Sequence, residues 1–163
     1  MPHVQTASYI RRGNNNGKMF FQTPNHVVIL SEMIHTARII PISTEPHVED
    51  TITQWNGDPR ARWEENTLVV ESNNFKAVGN QRGPGSRAPQ TETRHVVERF
   101  SLLDQDTLHY ELRVNDPETY TAPWTVAFNY KRDNDYLQFE YACHEGNYAV
   151  PNSLSGERAQ ENK

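Results

Sequence analysis

Proton-transfer chemistry needs titratable side chains beside a substrate-holding surface, and this chain offers two such places. The run Cys143-His144-Glu145-Gly146-Asn147 ends the last readable strand, where a side chain can lean over a cavity mouth and an imidazole stands next to a carboxylate. Adjacent strand residues point to opposite faces, so His144 and Glu145 share a cavity only if the strand has ended or bulged there. A strand-terminal histidine bonded to backbone is the plainer alternative. The second place is His35, in phase with Ile29, Ser31 and Met33, so that its ring enters the interior near a rim if that face is inward. A histidine on an apolar face is also a common satisfied core residue. Beyond the His35-Thr36 bend, Arg38 either neutralises an anionic ligand or pairs with Glu32, and both readings require a carboxylate nearby.

Other chemistries find less support. Seven histidines stand at positions 3, 26, 35, 47, 95, 109 and 144, with no i, i+2 pair and no HExxH spacing. A metal would need ligands from distant strands, such as His35, His144 and Glu145, so no metal and no cofactor is expected. Cys143 is the single cysteine, which rules out a disulfide within one chain. It shares an apolar face with Phe139 and Tyr141, where a thiol without a neighbouring cation is inert. There is no nucleophile elbow, phosphate loop or dinucleotide-binding glycine pattern. Asp58, Arg60, Arg62 and Glu64 surround Trp63 as a charged run, read as a salt-bridged solvated face or, less simply, as a site.

The elements that must position these groups are strands. Leu108, Tyr110, Leu112 and Val114 alternate with Thr107, His109, Glu111, Arg113 and Asn115, the period of a half-buried antiparallel strand. Trp124, Val126, Phe128 and Tyr130 repeat the pattern, and so do Leu137, Phe139, Tyr141 and Cys143. The expected inward set is therefore Tyr110, Leu112, Trp124, Val126, Phe128, Phe139 and Tyr141. A concave face so rich in hydrogen-bonding rings suits a ligand cavity, with Tyr110, Trp124, Tyr141 and Arg38 as ligand-binding residues. Earlier strands are read at 18–22, 26–34 and 36–42, and a hairpin at 60–64 and 67–75, whose Glu65-Asn66 turn lets Asn66 take a positive φ. Asp104-Gln105-Asp106 and Asp133-Asn134-Asp135 close later hairpins.

Between them, residues 45–58 form a crossover loop that packs Trp55 down. Residues 76–92 collect Gly79, Gly83, Pro84, Gly85 and Pro89, too many breaks for a hairpin turn, and 78–89 is expected to be a mobile loop at the pocket mouth. Residues 1–17 have no period and read as an irregular arm, while the tail 151–163 holds one short helix. The fold class is thus all-β in one domain: an antiparallel up-and-down, calycin- or lipocalin-like barrel, or a strongly curved sheet, with a two-sheet sandwich as the alternative.

Composition agrees with a thin-walled sheet. The 163 residues are 35% hydrophobic and 10% aromatic, with a net charge of −5. Scattered Lys and Arg give no basic field, so nucleic acid is not an expected partner. No apolar run approaches membrane-spanning length, so no membrane partner is expected, and the opening Met-Pro-His-Val lacks a signal layout. As written the chain is expected to be soluble and cytoplasmic, or periplasmic or secreted if a signal peptide belongs to it. An oligomer is compatible with all of this.

Four motifs carry a resemblance. They are Gly57-Asp58-Pro59-Arg60-Ala61-Arg62-Trp63-Glu64-Glu65-Asn66-Thr67-Leu68-Val69-Val70, Val97-Glu98-Arg99-Phe100, Asp116-Pro117-Glu118-Thr119-Tyr120-Thr121-Ala122-Pro123-Trp124 and Tyr141-Ala142-Cys143-His144-Glu145-Gly146-Asn147-Tyr148. Together they make residues 22–161 resemble a large family of uncharacterised bacterial proteins, often exported. The resemblance implies a β-rich domain and transfers no catalytic roles; the likeness to calycin barrels is one of architecture. Two functions fit. One is a cofactor-independent lyase, isomerase or hydratase in which His35 or His144, oriented by Glu145 or another carboxylate, moves a proton on a small polar ring-bearing molecule. The other is a binding module that uses the same aromatic cavity without chemistry.

Overall fold

Strand is the dominant regular structure of this chain. The computed structural model describes residues 5–10, 15–77, 91–142, 145–146 and 148–161, the first of these by backbone alone. Among the described residues nine strands form: β1 Gln5–Ile10, β2 Lys18–Gln22, β3 His26–Ser31, β4 Ala37–Pro41, β5 Asp58–Glu64, β6 Thr67–Asn73, β7 His95–Asp104, β8 Thr107–Asn115 and β9 Trp124–Arg132. One helix, α1 Ala149–Glu161, follows them and buries none of its side chains. All neighbouring strands run antiparallel, in the order β4-β3-β2-β1-β9-β8-β7-β6-β5.

The three-stranded block β2–β4 and the five-stranded block β5–β9 curve round one interior. Val27, Ile29 and Ile40 of the first block cluster with Ala61, Leu68, Val70, Phe100, Leu108 and Tyr130 of the second. Phe20 meets Phe100 edge-on at 5.7 Å between ring centroids, joining the blocks across the interior. The fold is therefore a strongly curved antiparallel sheet. It does not close into a barrel, because the outer strands β4 and β5 meet only at a parallel bridge between Ile42 and Ala61, where the Ser43 N–H donates to the Ala61 carbonyl at 3.0 Å.

The outer face carries the charged run. Val69 is fully buried although its phase is outward. It stands between Arg62 on β5 and Arg99 on β7, and the aliphatic stems of such residues cover apolar surface while their heads stay wet. Arg62 bonds Glu64 and Glu71, and Arg99 bonds Glu64, each at 2.8 Å for the closest contact. The salt-bridged solvated face read from the sequence is present at Arg62 and Glu64, whereas Asp58 of the same run is buried.

Four expectations are corrected. First, residues 1–17 are not wholly irregular: Gln5–Ile10 pairs with β2 along five residues and with β9 at Tyr9↔Arg132 and Ile10↔Lys131. The segment leaves no period in the sequence, yet its backbone fills the gap between two blocks. Second, residues 137–142 form no strand, and Leu137 and Phe139 are 75% and 65% exposed. Their alternation is real, but β1 pairs with β9 at Lys131 and Arg132, where a hairpin after Asp133-Asn134-Asp135 would begin, and no hairpin follows. Third, the strand expected over 26–34 stops at Ser31, and a single 3-10 turn, Met33–His35, places Ile34 and His35 at φ of 64° and 43°. Glu32 is the cause. Its buried carboxylate accepts from Asn15 Nδ2 at 3.0 Å and Tyr136 Oη at 2.5 Å, drawing the chain out of the ladder. Fourth, the positive φ of the 65–66 turn, 52°, falls on Glu65 instead of Asn66. The loop expected at 78–89 lies outside the described residues.

Candidate functional site

Strand phase sends three polar residues into the apolar interior. On β4, Arg38 lies opposite Ile29, which lies opposite Phe20. On β7, Glu98 falls between Val96 and Phe100 on the inward phase, opposite Val70 on β6 and Leu112 on β8. Tyr110 follows from β8, opposite Phe100 and Phe128. Arg38 donates from Nη1 to Glu98 Oε1 at 3.0 Å and from Nη2 to Oε2 at 2.5 Å, a two-pronged pair that bridges the two blocks. The Tyr110 hydroxyl donates to Glu98 Oε1 at 2.8 Å. Glu98 is 5% exposed, so its charge is neutralised by one guanidinium and its oxygens are held by three donors.

These contacts fix protonation. Burial, followed by the Glu98 carboxylate, pushes the Tyr110 phenol far above its usual range, so the hydroxyl keeps its proton and remains a donor. Burial alone would lower the Arg38 guanidinium, but Glu98 more than reverses this and holds it charged. Lys18, inward on β2 and donating to Ser31 Oγ at 2.6 Å, is lowered by burial and by repulsion from Arg38, with Glu98 opposing both.

Above this unit lies an open cavity of about 420 Å³. Its polar floor is Arg38, Glu98 and Tyr110; Val96, Leu112 and Val114 give apolar wall, and Trp55, Phe75, Tyr120 and Trp124 supply the rings. Two anchors present those rings. The loop carrying Trp55 is tied down by Asn74, whose Nδ2 donates to the carbonyls of Val48, Glu49 and Ile52 at 3.0, 2.9 and 3.3 Å. Buried Asp58 ties the same loop, accepting from the Val48 N–H at 3.1 Å and lying 3.1 Å from His47 Nδ1, while Arg60 donates to its other oxygen. Trp55 itself is 66% exposed at the mouth, with Lys76 Nζ 5.0 Å from its ring centre.

Asp116 is the second anchor. Its carboxylate accepts from Thr91 Oγ1 at 2.6 Å and Arg94 Nε at 3.1 Å, and its carbonyl accepts from the Thr119 and Tyr120 N–H groups. The turn so formed sets Tyr120 edge-on to Trp124 at 5.7 Å. Burial pushes the Asp116 carboxyl up, but hydrogen bonds from Thr91, Arg94 and Thr119 outweigh it and hold the group below the usual carboxylate range. A lowered carboxyl stabilises the fold fully above its unfolded value of about 3.9, and the gain is lost as pH falls through the lower folded value. Urea unfolding should therefore show wild type losing its advantage over Asp116→Asn as pH is taken from about 5 to below 3. A gap between the two that stays constant with pH would refute this role.

The sequence-derived residues divide cleanly. Arg38, Tyr110 and Trp124 come together at the cavity, and the carboxylate that Arg38 required is Glu98; Glu32 serves Asn15 and Tyr136 instead. His35 does not enter the interior: it is exposed on the 3-10 turn, because the chain leaves the β3 ladder at Glu32. Glu145 is exposed in a turn whose N–H bonds the Ala142 carbonyl. Tyr141 follows β9 in a segment that forms no strand and does not line the cavity. His144 lies outside the described residues. Of the expected inward set, Tyr110 and Phe128 pack on the core, Leu112 and Trp124 line the cavity, and Val126 is 39% exposed.

Glu98, Trp55, Phe75 and Tyr120 were missed. Only Glu98 had a readable signal, a charge in phase with apolar Val96 and Phe100. No family model, curated protein or solved structure matches this chain.

Proposed function

We propose that the protein binds a small, polar, ring-bearing molecule in the aromatic-walled cavity and holds it without transforming it. The observation that carries this reading is the Arg38-Glu98-Tyr110 unit. It faces the cavity with its charges matched and both its guanidinium and its phenol held protonated, which suits fixed hydrogen-bond recognition more than proton exchange. The four rings add stacking surface.

One observation favours the other reading, acid–base chemistry of the lyase or isomerase type. A carboxylate, Glu98, lines the same cavity and would be the proton acceptor in place of an imidazole. A panel of small aromatic, heteroaromatic and sugar-like compounds separates the two. Binding reads out as a rise in melting temperature, with about 2.7 kcal/mol of added stability at a hundredfold excess over Kd, while NMR of the compound follows its conversion. The binding reading expects a stabilising compound recovered unchanged; turnover abolished by Glu98→Gln would replace it with the enzymatic one. If no member of the panel shifts the melting temperature or the Trp55 and Trp124 indole resonances, the cavity is not a ligand site.

A further inference from the structure

Each charge on the cavity lining already has its counter-charge. Among the described residues that line it, the ionised side chains are Arg38, Arg94 and Glu98. Arg38 and Glu98 neutralise one another through their two-pronged pair, and Arg94 is bonded to the buried carboxylate of Asp116. Lys18, Glu32, Lys76 and Arg132 do not line the cavity. A ligand that brought net charge down to this floor would give up its water and find no counter-ion left to meet it, which is costly.

What the lining leaves unspent is hydrogen-bonding capacity of both kinds. Ser72 lines the cavity from β6, is 1% exposed, and its Oγ has no hydrogen-bond partner among the described residues. Buried hydroxyls are almost always paired, and one that is not marks a position where a ligand atom or a bound water completes the bond. Glu98 Oε2 accepts from Arg38 alone and keeps acceptor capacity, while Arg38 spends only part of its fork of donors on Glu98. In the ladder Ser72 faces Val96 and Val70 faces Glu98, so Ser72 and Glu98 are diagonal neighbours on one inward face. Such neighbours lie about 7–8 Å apart, a span that one ring carrying hydroxyls reaches across. A hydroxyl both donates and accepts, whereas a carboxylate only accepts and an ammonium only donates.

We propose that the ligand is an uncharged ring compound bearing hydroxyl groups, an aromatic alcohol or a sugar, whose hydroxyls bond Ser72 and the Arg38-Glu98 pair while its ring lies among Trp55, Phe75, Tyr120 and Trp124. This rests on the cavity being the binding site proposed above. An anionic ring compound meets Glu98 with like charge and offers it no donor. A cationic one meets Arg38 and Arg94 with like charge and offers Ser72 no acceptor.

Calorimetric titration of the full chain with two matched series tests the charge class and separates the two sources: benzyl alcohol, benzoate and benzylamine, then methyl glucoside, glucuronate and glucosamine. In one series the uncharged member should bind about tenfold more tightly than either charged one, the value of one good hydrogen bond made without burying a charge, and the series that responds tells alcohol from sugar. Ser72→Ala should weaken that binding about tenfold without lowering the melting temperature of the free protein, because the hydroxyl it deletes has no partner there. A serine held by a structural bond would behave the other way, losing stability and keeping affinity. A charged member bound as tightly as its uncharged counterpart overturns the assignment and leaves the cavity as a binding site. Unchanged affinity in Ser72→Ala means that a water alone completes the Oγ bond, and it overturns the assignment too. If all six compounds are silent, an uncharged hydroxyl-bearing ligand from the broader panel upholds it and any other ligand overturns it; silence from the broader panel as well removes the binding reading beneath it.

Discussion

Glu98→Ala is expected to cost about 3 kcal/mol of folding stability, the low end of what breaking a buried ion pair costs. The substitution leaves Arg38 charged in a site where its side chain is 22% exposed, and strips the Tyr110 hydroxyl of its acceptor. That partial exposure lets water relieve the guanidinium and keeps the expected loss from being larger. The pair also ties β4 to β7, so its loss loosens the cavity floor as well as destabilising the chain. Urea unfolding of Glu98→Ala should give a lower midpoint with little change of slope. The triple replacement Arg38→Met, Glu98→Leu, Tyr110→Phe should recover most of the stability, because a well-packed apolar trio needs no compensation. A Glu98→Ala midpoint equal to wild type would mean that the unit is screened like a surface bridge.

Phe100→Ala should be costlier, at about 4 kcal/mol. The ring is 7% exposed, lies 4.9 Å from Tyr110 and 5.7 Å from Phe20 between centroids, and is the place where the two strand blocks touch through aromatic contact. Truncation removes buried area and leaves a void bounded by rings on two different strands, Phe20 on β2 and Tyr110 on β8. The same denaturation series measures it. A loss below about 1 kcal/mol would show that Phe20 and Tyr110 close over the space and that the blocks do not depend on this ring.

What the sequence revealed and what it hid follow from one distinction. Period-2 alternation reports that a segment has two different faces, and it located β8, β9 and the inward phase of Tyr110, Leu112 and Trp124. Alternation says nothing about whether a ladder partner is left over. Residues 137–142 alternate as well as any strand, yet form none, and Gln5–Ile10 pairs with β9 at Lys131 and Arg132, where a further hairpin would begin. Arg38 was legible as a cation that needs a carboxylate, but its partner lies 60 positions away and only the curvature of the sheet selects Glu98 over Glu32. His35 was misplaced by following the β3 phase past Glu32, where a carboxylate bonded to Asn15 and Tyr136 overrides the strand. Trp55 and Tyr120 reach the cavity from loops, whose positions depend on Asn74 and Asp116 and leave no periodic trace.

The order in which the strands lie side by side bears on how the chain reaches this state. Among the nine, every adjacent pair is also consecutive in sequence except β1 with β9. Two meanders can therefore assemble from short-range contacts alone, one from the N-terminal third and one from 58–132, each at the modest loop-closure cost of its own turns. Joining them waits on a single long closure that the two-residue pairing of β1 with β9 does little to drive. The interior contacts, Phe20 on Phe100 and Arg38 on Glu98, must supply the remainder, so the groups that shape the cavity are also those that decide when the two halves commit to one another.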